Sequence, residues 1–290
     1  MIHVVIVSYC EWEALEPTIS DFLNVQDVDI QIHVADNLEA VSVQRQVELL
    51  PAVSYKSFSN VGYGQAFNLY VAELQLMESD LLIVSNDDVR IQPDALKKLV
   101  DGYQTARKHI GKIGPVSPSY SANGNDMNHF AEGKIKLDSG VSTVAFSPAA
   151  LWLMDHDFLV HVGGFVPNFF LYAEDRELCY RSLYYGYQPI LVEDATVEHE
   201  FRYPPTHKAN RIELECNTIS AQFLNPSESK MQASQFALKS LISALLRLDF
   251  KRFSFVWKGY GLFRKRRKSL LVVKQKILDK ELKFRFLTTQ

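Results

Sequence analysis

Apolar and polar positions alternate along the first 110 residues in a way that predicts strands and helices in turn. Ile2-His3-Val4-Val5-Ile6-Val7 reads as an opening buried strand. Leu15, Ile19, Phe22 and Leu23 then fall at helical spacing between Glu13 and Leu23, and Ile30-Gln31-Ile32-His33-Val34 alternates as a second strand. Val53 to Phe58 predicts a third. Asn60-Val61-Gly62-Tyr63-Gly64 turns into a helix running through Asn68, Leu69, Val71, Ala72 and Leu74. Leu81-Leu82-Ile83-Val84 is a fourth strand, followed by a helix entered through Pro93. This alternation predicts an α/β fold with a doubly wound, mostly parallel sheet flanked by helices. Four strand ends then gather on one edge: Ser8-Tyr9, Asp36-Asn37, Asn60 to Gly64, and Asn86 to Asp88. Ligands of open α/β sheets bind in the crevice beyond such ends.

Composition narrows the function classes. With 47% hydrophobic and 22% charged residues over 290 positions, the chain has a globular profile and ample length for a core. Cys10, Cys179 and Cys216 are too few and too scattered for a disulfide framework or a zinc site, which fits a reducing compartment. The chain opens on a strand rather than a secretory signal, and no stretch reaches the length of a spanning helix. Net charge is −3, but residues 226–290 carry 16 Lys+Arg against 4 Asp+Glu, a balance of +12, leaving −15 for residues 1–225. A boundary is placed near Asn225-Pro226-Ser227, where turn residues cluster.

Candidate chemistry sits at the strand ends. Asn86-Asp87-Asp88 directly follows a buried apolar run, where carboxylates lose solvation unless a cation or hydrogen-bonding ligand meets them. Paired acids suit Mg²⁺ or Mn²⁺; a solvated turn before the next helix accounts for them equally well. Gly62-Tyr63-Gly64 follows the third strand, so a dinucleotide fingerprint is excluded; it serves either ligand approach or a tight turn. In the second half, Gly163-Gly164-Phe165 leads through Phe169-Phe170-Leu171-Tyr172 to Ala173-Glu174-Asp175-Arg176, acids at the start of a helix where the macrodipole favours negative charge. A carboxylate set among aromatic rings holds a raised pKa and suits a general base; Asp175 as a plain helix cap is the alternative. Trp152 either stacks on a sugar face or belongs to the core.

These residues match a known family. Val5-Ile6-Val7-Ser8-Tyr9, Val34-Ala35-Asp36-Asn37, Asn60 to Asn68, Asn86-Asp87-Asp88, Gly163 to Arg181 and Val197-Glu198-His199 occur in the order of the motifs of inverting family-2 glycosyltransferases. The chain resembles these enzymes, which have the GT-A fold, and is closest to the rhamnosyltransferase-like branch. The resemblance covers roughly residues 1–225 and implies a GT-A domain there, with a nucleotide-sugar half to about 115 and an acceptor half from about 116 to 225. It implies Asp175 as general base, with Glu174 orienting sugar or acceptor. Ser8, Tyr9, Asp36, Asn37, Asn60, Gly62, Tyr63, Asn68, Asn86 and Asp87 would bind the nucleotide-sugar. A divalent metal, Mg²⁺ or Mn²⁺, would lie at Asp88 with Asp87 or His199, and Trp152, Phe170 and Tyr172 would face the acceptor or sugar. The implied donor is a nucleotide-diphosphate sugar, dTDP-rhamnose first and UDP-hexoses behind it, and the implied acceptor is a saccharide or lipid-linked glycan of a bacterial surface. The chain departs from the family pattern at Cys10, at Val166-Pro167, and at Glu200-Phe201-Arg202-Tyr203-Pro204-Pro205.

The segment 226–290 makes a separate argument. Leu238, Leu241, Ile242 and Leu245 have helical spacing and predict a packed helix. Phe253, Phe255, Trp257, Tyr260, Leu262 and Phe263 precede Arg264-Lys265-Arg266-Arg267-Lys268, which points to an anionic membrane surface met through residues 250–268, and so to a peripheral enzyme on the inner face of a bacterial plasma membrane. A soluble helical hairpin with a basic face is the alternative. Two further functions are carried along: a sugar- or nucleotide-binding protein of this fold without turnover, and a nucleic-acid-binding module led by the basic tail. The acidic body speaks against nucleic acid as a partner.

Overall fold

The computed structural model describes residues 1–122, 125–127, 131–200 and 207–282, with the backbone alone at Asp126. Phe201 to Pro205, where the sequence departs from the family pattern, lie outside the described residues. The order is β1 (Ile2–Ser8), α1 (Trp12–Leu23), β2 (Ile30–Asp36), α2 (Val41–Val47), β3 (Val53–Ser57), α3 (Tyr63–Val71), β4 (Leu81–Asn86), β5 (Val89–Ile91) and α4 (Ala95–His109). Then come β6 (Ile113–Ala122), β7 (Asn125–Asp126), β8 (Ile135–Asp138), β9 (Val141–Thr143), β10 (Leu151–Asp155), α5 (His156–His161), α6 (Glu174–Tyr185), β11 (Gln188–His199), α7 (Lys208–Leu224), α8 (Gln232–Leu246) and α9 (Phe250–Leu278).

All the strands share one sheet in the order β3-β2-β1-β4-β10-β6-β11-β9-β8, with β5 against β11 and β7 against β6. The expected parallel run is present: β1 pairs parallel with β2 and β4, β2 with β3, and β6 with β11. Antiparallel β10 is inserted between β4 and β6. Alternate residues of β1 feed two cores. Val4 and Ile6 join Ile32, Val34 and Ile83 under α1 and α4, while Val5 and Val7 join Leu82, Val84 and Trp152 under α3, α5 and α6. Burial on both faces explains why these strands read as unbroken apolar runs. Order reverses between β1 and β4, so the crevice at their carboxyl ends is the topological switch point.

The C-terminal helices lie on the body. α9 runs beside α7, and its Phe263, Leu270, Val273 and Ile277 belong to the same apolar cluster as Phe223 and Leu224. Lys274, also buried, donates to the carbonyls of Phe223, Asn225 and Glu228 at 2.7–3.0 Å. Two expectations are corrected here. Of the aromatic run in α9 only Trp257 is exposed, because Phe263 packs edge-on against Phe223 and the others are partly covered. The stripe that predicted a packed face on α8 points outward: Ala233, Ala237 and Ala244 are buried, and Leu238, Ile242 and Leu245 are exposed. Small alanines let the helix backbone sit close to its neighbours, which decides the face that docks.

Candidate active site

The strand ends are bound to one another before any ligand arrives. The Asn37 N–H donates to the Ser8 carbonyl at 2.7 Å, joining β2 to β1, and the Asn37 side chain reaches the third strand's loop through Val61 N–H (2.8 Å) and Asn60 Oδ1 (3.3 Å). Tyr9 N–H donates to Asp87 Oδ2 at 2.7 Å, joining β1 to β4. Buried Thr18 of α1 donates to the Asp87 and Val89 carbonyls at 2.8 and 2.9 Å, fixing the tight turn between β4 and β5. Thr18 carried no signal in the sequence beyond its place on the inner face of α1.

That turn sorts the two acids. Asp87 faces back toward β1, whereas Asp88 Oδ1 lies 3.1 Å from His199 Nε2, and Asn86 Nδ2 lies 3.3 Å from the same nitrogen. Register produces the meeting: β11 pairs antiparallel with β5, placing His199 opposite Val89, and Glu200 N–H closes the ladder on the Asp88 carbonyl at 2.9 Å. Tyr120, which sequence reasoning missed, stands beside this group with its ring centroid 6.5 Å from that of His199. Its hydroxyl is 2.7 Å from the Leu151 carbonyl and accepts the Leu151 N–H at 2.9 Å.

The residues fit a hard divalent ion. Asp88 and His199 offer oxygen and imidazole donors at the end of a buried strand, and Mg²⁺ or Mn²⁺ is commonly held by one or two protein ligands plus substrate phosphates. Among the described residues no group of three or more His, Cys, Asp or Glu forms a ready-made cage. The remaining ligands would come from the diphosphate.

The second set of acids enters from α6. Tyr172 and Ala173 both adopt left-handed backbone, at φ 71° and 65°, immediately before Glu174. Such strain costs about 1–3 kcal/mol per residue and persists only where surroundings enforce it. Here the Leu171 carbonyl is held by Asn217 Nδ2 of α7 at 2.7 Å, and the Phe170 carbonyl accepts Tyr63 N–H at 3.2 Å. Glu174 is buried, and among the described residues its Oε2 meets no hydrogen-bond partner. Burial, then the neighbouring Asp175 charge, pushes the Glu174 carboxyl well above the usual carboxylate range. Burial raises Asp175 as well, opposed by the N–H groups of Arg176 (2.7 Å) and Ala149 and by the Arg176 guanidinium. Two adjacent buried carboxyls cannot both ionise easily, so the pair titrates as a unit above the usual carboxylate range. Arg176 is itself fixed, with two bonds to Glu132 at 2.9 and 3.1 Å and its guanidinium 4.0 Å from the Phe146 ring centroid.

Both clusters share one neighbour. Tyr63, at the start of α3, donates to the Ala149 carbonyl at 3.1 Å, and burial together with the charges of Glu174, Asp175 and Asp88 holds its hydroxyl far above the usual range. Tyr63 therefore lies within electrostatic reach of Asp88, the partner of His199, and of Glu174 and Asp175. Phe170 is exposed and Tyr172 half-buried, and Tyr9 exposes its ring at the end of β1. Ser8, fully buried, has its hydroxyl 3.5 Å from the Cys10 thiol.

Other predicted site residues prove to be braces. Trp152 is fully buried and stacks on Phe165 with centroids 6.3 Å apart, so it offers no face to a sugar. Asn68 is also fully buried, donating to the Phe165 carbonyl (2.7 Å) and accepting its N–H (3.0 Å), so it braces that backbone from inside the fold. Gly62, at φ 90°, lies under the Phe170 backbone, where a Cβ would come within 2.4 Å of the carbonyl oxygen. Asp36 is fully buried, and its oxygens accept Leu38 and Ala40 N–H and the Tyr55 hydroxyl at 2.8–2.9 Å. It shapes the loop after β2. A brace that sequence reasoning missed is Arg181, buried against Glu177 (2.8 and 2.9 Å) and donating to the Val162 and Gly164 carbonyls. Asn68→Ala should strand both Phe165 backbone groups in the core at a cost of about 1–3 kcal/mol each. A urea midpoint lowered at unchanged m-value would show it; an unmoved midpoint would deny Asn68 this role.

Residues 3–161 match the family model described as Glycosyl transferase family 2. An N-acetylglucosaminyl-diphospho-decaprenol L-rhamnosyltransferase of Mycobacterium tuberculosis is 26% identical over 238 residues, covering 69% of this chain and 76% of that protein, and the sequences from two strains align equally well. A mannosyltransferase from Pyrobaculum calidifontis, solved with GDP-Man and Mn²⁺, superposes with TM-score 0.58 at 14% identity, covering 99% of this chain and 83% of that one. At that identity the likeness shows the fold alone, and it is the GT-A type of α/β fold that the sequence implied.

Proposed function

The chain belongs to glycosyltransferase family 2, and from that premise we propose that it inverts the anomeric centre of a nucleotide-diphosphate sugar as it transfers the sugar to a hydroxyl of a lipid-linked or growing bacterial glycan. The observation that supports this reading is that Asp175 and Asp88, the latter paired with His199, both act on the buried Tyr63 hydroxyl. Asp175, ionised beside neutral Glu174, removes the proton from the acceptor hydroxyl as its oxygen attacks the anomeric carbon from the face opposite the diphosphate. One displacement inverts the centre without a covalent enzyme intermediate. Asp88 and His199 would hold a divalent ion, which when bound would neutralise charge developing on the leaving diphosphate. Glu174, keeping its proton, orients sugar or acceptor as a hydrogen-bond donor, and Phe170 and Tyr172 flank the acceptor. The nucleotide lies across the ends of β1 to β3 near Tyr9. Rhamnose is the first choice of sugar, supported by the rhamnosyltransferase likeness, and the same likeness supports a lipid-linked acceptor; the enzyme would reach it at the inner face of the plasma membrane.

The test is a panel of nucleotide-sugars, led by dTDP-rhamnose and including UDP-hexoses, incubated with Mn²⁺ and saccharide acceptors while released nucleotide is measured. Nucleotide release that depends on acceptor, giving a product of inverted configuration by NMR, is the expected outcome. Tight donor binding with no release would replace the enzyme by a binding protein of the same fold.

A further inference from the structure

α8 turns its alanines and Phe236 inward but leaves Leu238, Ile242, Leu245 and Leu246 to solvent, the reverse of what burial of apolar surface favours in an isolated soluble chain. Leu238, Ile242, Leu245 and Leu246 form one stripe, and Leu248 and Phe250 continue it through the turn into α9. Leu246 is 80% exposed and Leu248 73%. A continuous apolar strip of this kind marks an interaction surface.

Charge identifies the occupant. Lys239, Arg247, Lys251, Arg252 and Lys258 are all exposed on α8, the turn and the first half of α9. Lys208, Lys251 and Lys258, with Ser254 and Phe255, line a hollow of about 440 Å³ where the first turn of α7 meets α9. Apolar side chains bordered by cations fit the interface of an anionic bilayer, the leucines entering the headgroup–acyl boundary and the lysines meeting phosphates. A second copy fits less well, since the segment 226–290 carries a balance of +12 in each. Among the described residues no helix is long and apolar enough to cross a membrane, so the contact is in-plane.

We propose that α8 and the α8–α9 turn lie in the surface of an anionic bilayer, with the leucine stripe inserted and Lys208, Lys251 and Lys258 seating lipid headgroup phosphates. This deepens the membrane-side reading given above and rests on it. It moves the insertion face from the aromatic run of α9, which is mostly covered, to α8. It also separates Arg266 from the basic run, because that side chain pairs with Glu213 of α7 and braces the body. The α7 helix, which borders the lysine hollow, also holds the loop before Glu174 through Asn217, so the docked face connects directly to the site of transfer.

The test uses the full chain with vesicles of phosphatidylcholine alone or mixed with phosphatidylglycerol, sedimented at about 0.1 M and about 1 M salt, where charge screening lengths are roughly 10 and 3 Å. Wild type is expected on the anionic vesicles only, with a fraction resisting high salt. The triple variant Ile242→Ser, Leu245→Ser, Leu246→Ser should lose the salt-resistant fraction, roughly tenfold or more in partitioning. Lys251→Gln with Lys258→Gln should weaken binding at low salt. Transfer to a short soluble acceptor should be unchanged in every variant, which certifies folding and tests the enzymatic reading separately. Salt-resistant binding retained by the leucine variant would overturn the insertion face while leaving membrane attachment standing. Undiminished binding by the lysine variant would overturn the phosphate seat. A wild type that ignores anionic vesicles, yet self-associates in a way the leucine variant abolishes, would assign the stripe to a second copy and overturn the proposal.

Discussion

Replacing Asp175 by Asn should lower turnover by roughly 10²–10⁴ while leaving donor affinity nearly unchanged. The substitution keeps side-chain shape and an oxygen able to accept the Arg176 N–H, which bonds Asp175 at 2.7 Å, so it removes the proton acceptor and little else. Glu174→Gln is the informative companion. If Glu174 is the neutral member of the pair, Gln preserves a hydrogen-bond donor there and the loss should be much smaller. Wild-type kcat/KM should rise with pH along a limb displaced above the ordinary carboxylate range, since burial raises both carboxyls and the Asp175 charge raises Glu174 further. Stability should run the other way. Below the unfolded-state pKa both groups are neutral and cost nothing; as pH rises beyond it, the unfolded chain ionises more easily and native stability falls until the folded pKa is passed. A D175N enzyme with normal turnover would move the base elsewhere. A wild-type limb at pH 4 would deny the raised pair.

Removal of Asp88 should be comparably severe. With Asp88→Ala the carboxylate facing His199 at 3.1 Å is gone, and metal-stimulated turnover should fall at least about a hundredfold, equivalent to about 2.7 kcal/mol of transition-state stabilisation. Asp87→Asn gives the contrast. Asp87 ties Tyr9 to the acidic turn, so its effect should appear in donor KM and stability more than in metal response. EDTA should abolish wild-type activity, with Mn²⁺ or Mg²⁺ restoring it. Full activity of D88A, or wild-type activity undiminished in EDTA, would end the metal assignment.

Much of the left half of the sheet was determined by sequence alone. β1 and β4 are buried on both faces and therefore appear as short apolar runs, and in a parallel sheet with helical crossovers the polar ends of β1 to β4 must share one edge. The order of motifs likewise pointed to the family that the model over residues 3–161 establishes. Tertiary structure decided what these local patterns leave open. Asp88 and His199 meet only because β11 pairs with β5, a contact between distant segments that no local periodicity encodes. Antiparallel β10, between β4 and β6, buried Trp152 in the core. Asn68, Gly62 and Asp36 read as ligand contacts because polar and glycine residues at strand ends serve either ligands or loops; the choice fell to the Phe165 and Phe170 backbone and to the turn after β2. On α8 periodicity marked an apolar stripe correctly but not its direction, because close helix packing chose the alanines and left the leucines facing out.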